Sequence, residues 1–312
     1  MYRNIINIAL LFRGEKIYLP VFMDFRGRIY PLATYLSYQG GDVARSLLNF
    51  NSENKPSDNQ HILIYLCNVF GHNNRSMKSR ISWAKTTLPY MGELYEQDRK
   101  RFDVEFLSKA KEKAQFMSCF LSIYKSYLSC KGSNRSYSNS KTPVLFDATC
   151  SGMQHLSALT TNIDLVTLVN LTNHELKDFY GHCAEIVKEV IAEHRDKKLS
   201  ERLSKVKITR KLVKLPVMTI PYNIGLESLT GKITEKFEKR FDEIDGTKKV
   251  TYTVPGEYTV DGVPLELTGS EAGKLGSITY HTVKTLMPPI KPLKEYFEGM
   301  IDVLQKLNKP IF

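Results

Sequence analysis

The spacing of apolar and polar residues changes several times along the chain, and each change marks an element. Ile17 to Phe22 reads as a short extended piece leading into Asp24-Phe25-Arg26-Gly27-Arg28-Ile29-Tyr30-Pro31, where two arginines flank a glycine at a turn. From Asp58 onward, the apolar run His61 to Phe70 has helical length and stops at Gly71, a residue suited to ending a helix. Met91 to Ser129 alternates charged and apolar stretches and predicts two amphipathic helices. Lys131 to Thr142 is rich in Gly, Ser and Asn without apolar periodicity, which predicts an exposed loop. Pro143-Val144-Leu145-Phe146 then has the pattern of a short buried strand ending in Asp147, with a helix from Ser151.

The second half follows the same logic. Glu175 to His194 predicts a long amphipathic helix. Arg195 to Lys214 carries nine basic residues against Asp196 and Glu201, the most basic stretch of the chain. A charged helix follows Glu227, and Val250 to Leu267 alternates as a small β-element broken by Pro255-Gly256 and Asp261-Gly262. A last helix is predicted over Leu293 to Leu307. No internal repeat is present. The pattern predicts an α+β, helix-rich fold in four segments, 1–57, 58–142, 143–200 and 201–312.

Composition narrows the class. With 312 residues, 42% hydrophobic and 25% charged, the chain can bury one large core or two smaller ones and is far from disordered or collagen-like compositions. A formal net charge of +11 favours polyanionic partners. Cys67, Cys119, Cys130, Cys150 and Cys183 are scattered without metal-ligand spacing, which predicts a reduced compartment and no structural zinc. The apolar stretch near the amino terminus lacks a cleavage site and no run reaches the ~20 residues of a membrane span, so neither signal peptide nor anchor is indicated. Abundant Lys, Asn, Ile and Tyr suit an AT-rich genome, such as an organelle or its plasmids.

Two clusters carry chemistry. Nucleotidyl transfer needs divalent metals held by carboxylates, which lower the pKa of the attacking hydroxyl and neutralise charge on phosphorus. Asp147 lies in Phe146-Asp147-Ala148-Thr149-Cys150-Ser151-Gly152-Met153-Gln154-His155, whose small residues leave room for a nucleotide. On spacing alone, that aspartate reads first as a helix N-cap. In the second cluster, Arg210, Lys214, Met218 and Tyr222 are spaced by four and would stack on one helical face. Such a face offers two cations to a triphosphate, an apolar platform to a base and a phenol near the sugar. Taken alone, the spacing reads first as a basic helix end with core-facing Met and Tyr. Pro216 and Pro221 predict a short or kinked helix ending near Tyr222, with the face preserved if Pro216 lies in the first turn.

Taken together, DFRGRIYP, FDATCSGMQHLSAL and RKLVKLPVMTIPYN, in this order and at these spacings, resemble the single-subunit RNA polymerases of phages, mitochondria and mitochondrial plasmids. The form MTIPYN looks most like the polymerases of linear mitochondrial plasmids, which implies a mitochondrial location. The resemblance implies an incomplete right-hand polymerase: residues 1–57 entering the palm, 58–142 mainly helical, 143–200 palm and 201–312 fingers. It implies Mg²⁺ held by Asp147, with the carbonyl of Ala148 near the second metal. Lys214 and Arg210 would hold the triphosphate, Met218 would sit by the base, and Tyr222 would lie at the sugar and help select ribose. Arg26 and Arg28 would hold template or hybrid phosphates, while Gln154 and His155 would support the site. Related DNA polymerases carry glutamate five residues after the metal aspartate, crowding the 2′-hydroxyl; here Gly152 admits a ribonucleotide.

The resemblance further implies a second carboxylate from a later His-Asp pair, and no histidine here is followed by aspartate. The expectation is therefore a fragment, either a decayed or interrupted frame or half of a split enzyme, that does not extend a primer alone. The implied partners are a DNA template, the RNA product, nucleoside triphosphates and a second chain, with no membrane. Two other readings stand beside this one: an inactive nucleic-acid-binding remnant with basic grooves, and a related DNA polymerase or primase.

Overall fold

In a computed structural model, which describes residues 1–51, 60–129, 141–172, 176–222, 224–244, 247–286 and 290–310, the chain divides into two units, 1–147 and 148–312. The first begins with α1 (Tyr2–Leu11) and the antiparallel hairpin of β1 (Val21–Met23) and β2 (Ile29–Pro31), paired Val21 to Pro31. The short helix α2 (Asp42–Ser46) joins Ile5, Leu36, Ala44 and Leu48 in a small core. The larger core of this unit is helical. Helix α3 (His61–Phe70) is buried on nearly every side and closes at Gly71, whose φ of +120° is open to glycine without strain.

Around α3 pack α4 (Met77–Gln97) and, beyond the short α5 (Arg99–Phe102) and a π-helical turn at Asp103–Leu107, α6 (Lys113–Ser129). The long α4 begins well before Met91, because Ser76 caps it by accepting the Ser79 N–H, so the predicted helix pair starts earlier than its apolar pattern indicated. Phe102, Phe116 and Phe120 are fully buried between these helices. Asp42 accepts the N–H groups of Ala114 and Gln115, tying α2 to the start of α6. Helices α4 and α6 approach closely at Gly92, where any Cβ would enter the ring of Tyr124. Gly92→Ala is expected to destabilise this unit by about 1–3 kcal/mol, the usual cost of overpacking a rigid contact, read as a lowered melting temperature by circular dichroism.

The second unit has one continuous core from Cys150 to Val283. It comprises α7 (Ser151–Thr160), α8 (Ile163–Leu168), α9 (Phe179–Ala192), α10 (Lys197–Ser204), α11 (Arg210–Thr219) and α12 (Leu226–Thr234). A three-stranded antiparallel sheet of β3 (Glu238–Ile244), β4 (Thr247–Val254) and β5 (Leu265–Thr268) follows, then α13 (Gly269–Thr285) and α14 (Ile290–Lys306). Helix α13 packs on α12 and α9, and a capping box starts it: Thr268 accepts the Glu271 N–H while the Glu271 carboxylate accepts from Thr268. The same carboxylate pairs with Arg202 at 3.0 Å, anchoring α10.

Several elements differ from expectation. The charged stretch after Glu227 is helical only to Thr234; Glu238 to Ile244 is a strand, because it pairs along its length with β4. Helix α9 starts at Phe179, and residue 175, where the pattern placed its start, lies outside the described residues. So do residues 131–140 of the predicted loop. Residues 143–146 form no strand. Val144 and Leu145 pack against the α3–α6 core instead, and among the described residues no neighbouring strand pairs with them. Helix α13 was not anticipated.

Candidate functional site

The hairpin turn at Asp24 to Arg28 is built by Gly27, whose φ is +75°, with its N–H on the Asp24 carbonyl at 2.9 Å. The Asp24 carboxylate accepts the backbone N–H groups of Arg26 and Arg28, each at 2.9 Å, and the Arg26 guanidinium at 2.9 and 3.0 Å. The N–H of Arg28 and the bonds from Arg26 hold the Asp24 carboxyl below the usual carboxylate range. The two arginines therefore differ. Arg26 is tied to Asp24, whereas the Arg28 guanidinium makes no ion pair or hydrogen bond among the described residues. Phe25 at the tip is 97% exposed, with Arg26 5.5 Å from its ring centre.

Asp147 is exposed and is the last residue of the first unit. It is not the cap of α7: that position is Cys150, and no side chain caps the helix. The start of α7 is held from within the second unit. Gln154 donates to the Val169 carbonyl at 2.8 Å and to the Thr149 hydroxyl at 3.2 Å, fixing this end of the helix to the end of α8. His155 is exposed. Among the described residues no group of three or more His, Cys, Asp or Glu side chains could hold a metal ion.

The row of four is on α11 and the turn beyond it. Thr209 caps the helix by accepting the Leu212 N–H, and Leu212, Val213, Pro216 and Val217 bury one side in the core. Geometry then forces Arg210, Lys214 and Met218 to the other side. The 3₁₀ turn Ile220–Tyr222 extends the row, so that Met218 is 42% and Tyr222 67% exposed; neither faces the core, which removes the core-facing alternative. Pro216 sits in the second turn, not the first, and the helix continues through it without a backbone bond to the Leu212 carbonyl, because proline has no N–H to donate.

Two neighbours organise the row. A Cβ on Gly152 would lie 3.3 Å from Pro221 Cβ and 3.6 Å from the Tyr222 hydroxyl, so α7 presents bare backbone to the phenol. Behind the cations lies Tyr180 of α9, buried, with Arg210 5.6 Å and Lys214 5.9 Å from its ring centre. Burial first, then the neighbouring Cys150, pushes the Tyr180 phenol up to about 12, so it is neutral at physiological pH. Arg210 also pairs with Asp178 at 3.1 Å. Sequence reasoning missed Asp178, Tyr180 and Gly181: their only signal was a polar residue before a helix, and the helix start was misplaced by a few residues.

The arrangement is a ladder of two cations, a thioether and a phenol, exposed except for the half-buried Lys214 and closed at one end by a glycine, which suits a nucleotide laid along the helix. The family model described as DNA-dependent RNA polymerase matches residues 53–290. A probable DNA-directed RNA polymerase of Agaricus bitorquis is 34% identical over 325 residues, taking in 100% of this chain and 28% of that protein. One of Neurospora crassa is 30% identical over 99% of this chain and 34% of its own length. The mitochondrial DNA-directed RNA polymerase of Schizosaccharomyces pombe is 32% identical over 78% of this chain and 21% of its length. The chain thus spans about a fifth to a third of these relatives. On the breadth of the family match, and on identity that runs the length of the chain, the protein belongs to the family of single-subunit, DNA-dependent RNA polymerases.

Proposed function

We propose that this chain supplies the nucleotide grip and one metal-holding carboxylate of a mitochondrial, DNA-directed RNA polymerase. The observation that carries this is the Tyr222 hydroxyl against side-chain-free Gly152, at the end of an exposed row that begins with two cations. Lys214 and Arg210 bind the triphosphate, Met218 lies against the base, and Tyr222 reads the sugar, where Gly152 leaves space for a 2′-hydroxyl. Arg28, unpaired among the described residues, holds a phosphate of the template or the hybrid, and Arg26 shapes the turn that presents it.

Asp147, an exposed hard-oxygen donor followed by the Ala148 carbonyl, fits Mg²⁺, which accepts one or two carboxylates with substrate phosphates completing its shell. When bound, the metal activates the 3′-hydroxyl and neutralises phosphoryl charge. A second carboxylate is proposed to come from outside these 312 residues, in the same or another chain, consistent with the small share of its relatives that the chain covers. A mitochondrial setting is supported by the mitochondrial polymerases among the relatives. No helix among the described residues is long and apolar enough to cross a membrane.

The test is direct binding of a fluorescent ribonucleoside triphosphate with Mg²⁺. Saturable binding weakened about tenfold by Lys214→Ala is expected, as for loss of one charge-assisted phosphate contact. Absence of nucleotide binding alongside salt-sensitive DNA binding would instead favour a nucleic-acid-binding remnant.

A further inference from the structure

Arg210 and Lys214 share one helix face and one ring, yet their electrostatic situations are opposite. Lys214 makes no ion pair among the described residues. Both carboxylate oxygens of Asp178, by contrast, lie 3.1 Å from Arg210 Nε. Asp178 occupies the N-cap position of α9 but makes no capping bond; its carboxylate lies over the first turn of the helix and pairs with Arg210 instead. The reason lies at Gly181. A Cβ there would fall 2.7 Å from Asp178 Oδ2 and 3.1 Å from its Cγ, so the carboxylate occupies space that any other residue would fill. Glycine inside a helix is unfavourable relative to alanine, and here it makes room for one contact.

We propose that Asp178 is a built-in counter-ion for Arg210, standing where the triphosphate binds and giving way to it, while the buried Tyr180 ring keeps both cations in place. This rests on the proposed nucleotide grip. Asp178 and Arg210 are each about half exposed, at 50% and 52%, so their pair is weak and readily exchanged. A triphosphate, with several charges and more acceptor oxygens than a carboxylate, displaces Asp178 from the guanidinium; a ligand without phosphates has no means to do so. Asp178 therefore raises the threshold for occupancy of the row and keeps Arg210 neutralised when no nucleotide is bound.

Two variants relieve the latch by different routes: Asp178→Asn removes the charge, and Gly181→Ala keeps the charge but fills the space its carboxylate occupies while favouring the helix. Each is measured for binding of a fluorescent ribonucleoside triphosphate with Mg²⁺, for competition by inorganic tripolyphosphate, and for binding of the parent nucleoside. Both variants are expected to bind triphosphate and tripolyphosphate about two- to fivefold more tightly, the range for release of an exposed ion pair, with nucleoside binding unchanged. In an Arg210→Ala background, Asp178→Asn is expected to add nothing. Unchanged or weaker triphosphate binding in Asp178→Asn overturns the latch, and so does tightening that persists without Arg210, which would be general repulsion rather than competition. If the parent protein shows no Lys214-dependent nucleotide binding, the functional reading itself fails, a result distinct from either of these.

Discussion

Asp147→Asn, placed in a polymerase that carries these residues together with a second catalytic carboxylate, is expected to lower nucleotide incorporation on the order of a thousandfold. That corresponds to about 4 kcal/mol of transition-state stabilisation. Asparagine has nearly the same shape but carries no charge, so it cannot match a carboxylate in holding a divalent ion. Binding of the triphosphate through Arg210 and Lys214 should persist, because those cations lie on α11 and owe nothing to the carboxylate's own position in the sequence. The effect therefore belongs in kcat and not in nucleotide affinity, and single-turnover extension of a radiolabelled primer separates the two. Asp147 neither caps α7 nor sits in a core, and a loss of activity with an unchanged melting temperature separates the metal role from a structural one. Activity within tenfold of the parent would remove Asp147 from the metal site.

Gly152→Glu is expected to have the second-largest effect. Even a Cβ at this position would lie 3.3 Å from Pro221 Cβ, and a longer side chain must run past the Tyr222 hydroxyl into the space a ribose would use. Use of ribonucleotides should fall about a hundredfold, about 2.7 kcal/mol, and use of deoxynucleotides by less, so the ratio of the two kcat/KM values is the measurement that decides. Tyr222→Phe serves as the companion: it leaves the ring in place and removes only the hydroxyl, so ribose preference should drop about tenfold with little change for deoxynucleotides. An equal fall for both sugars in Gly152→Glu would mean that the residue supports packing of α7 alone.

The shared face of Arg210, Lys214 and Met218 was legible in the sequence because a four-residue spacing on a helix is a statement about direction, and α11 honours it. What spacing could not supply was which side of that helix meets the core. Leu212, Val213 and Val217 settle this only once α9, α12 and α13 are packed against them. The aspartate's setting was less legible. Pro143 to Phe146 is as apolar as a strand, but a strand exists only with a partner, and its side chains found a helical core instead. Strand β3 shows the converse: Glu238, Lys239, Arg240, Asp242 and Glu243 look helical by composition, and the ladder with β4 overrides that preference. Asp178 and Gly181 were invisible because their meaning lies in a contact thirty-two positions away, between Asp178 and Arg210.

Pro216 has a mechanical consequence for the proposed nucleotide grip. Its missing backbone donor leaves α11 softest midway, between the half that bears the cations and the half that leads to Met218 and Tyr222. In the proposed grip, the phosphate-binding and sugar-reading halves would thus be joined by a compliant segment rather than a stiff rod. On the proposed function, a ligand that engages only one half would settle there without straining the other, and a complete ribonucleoside triphosphate would span the joint.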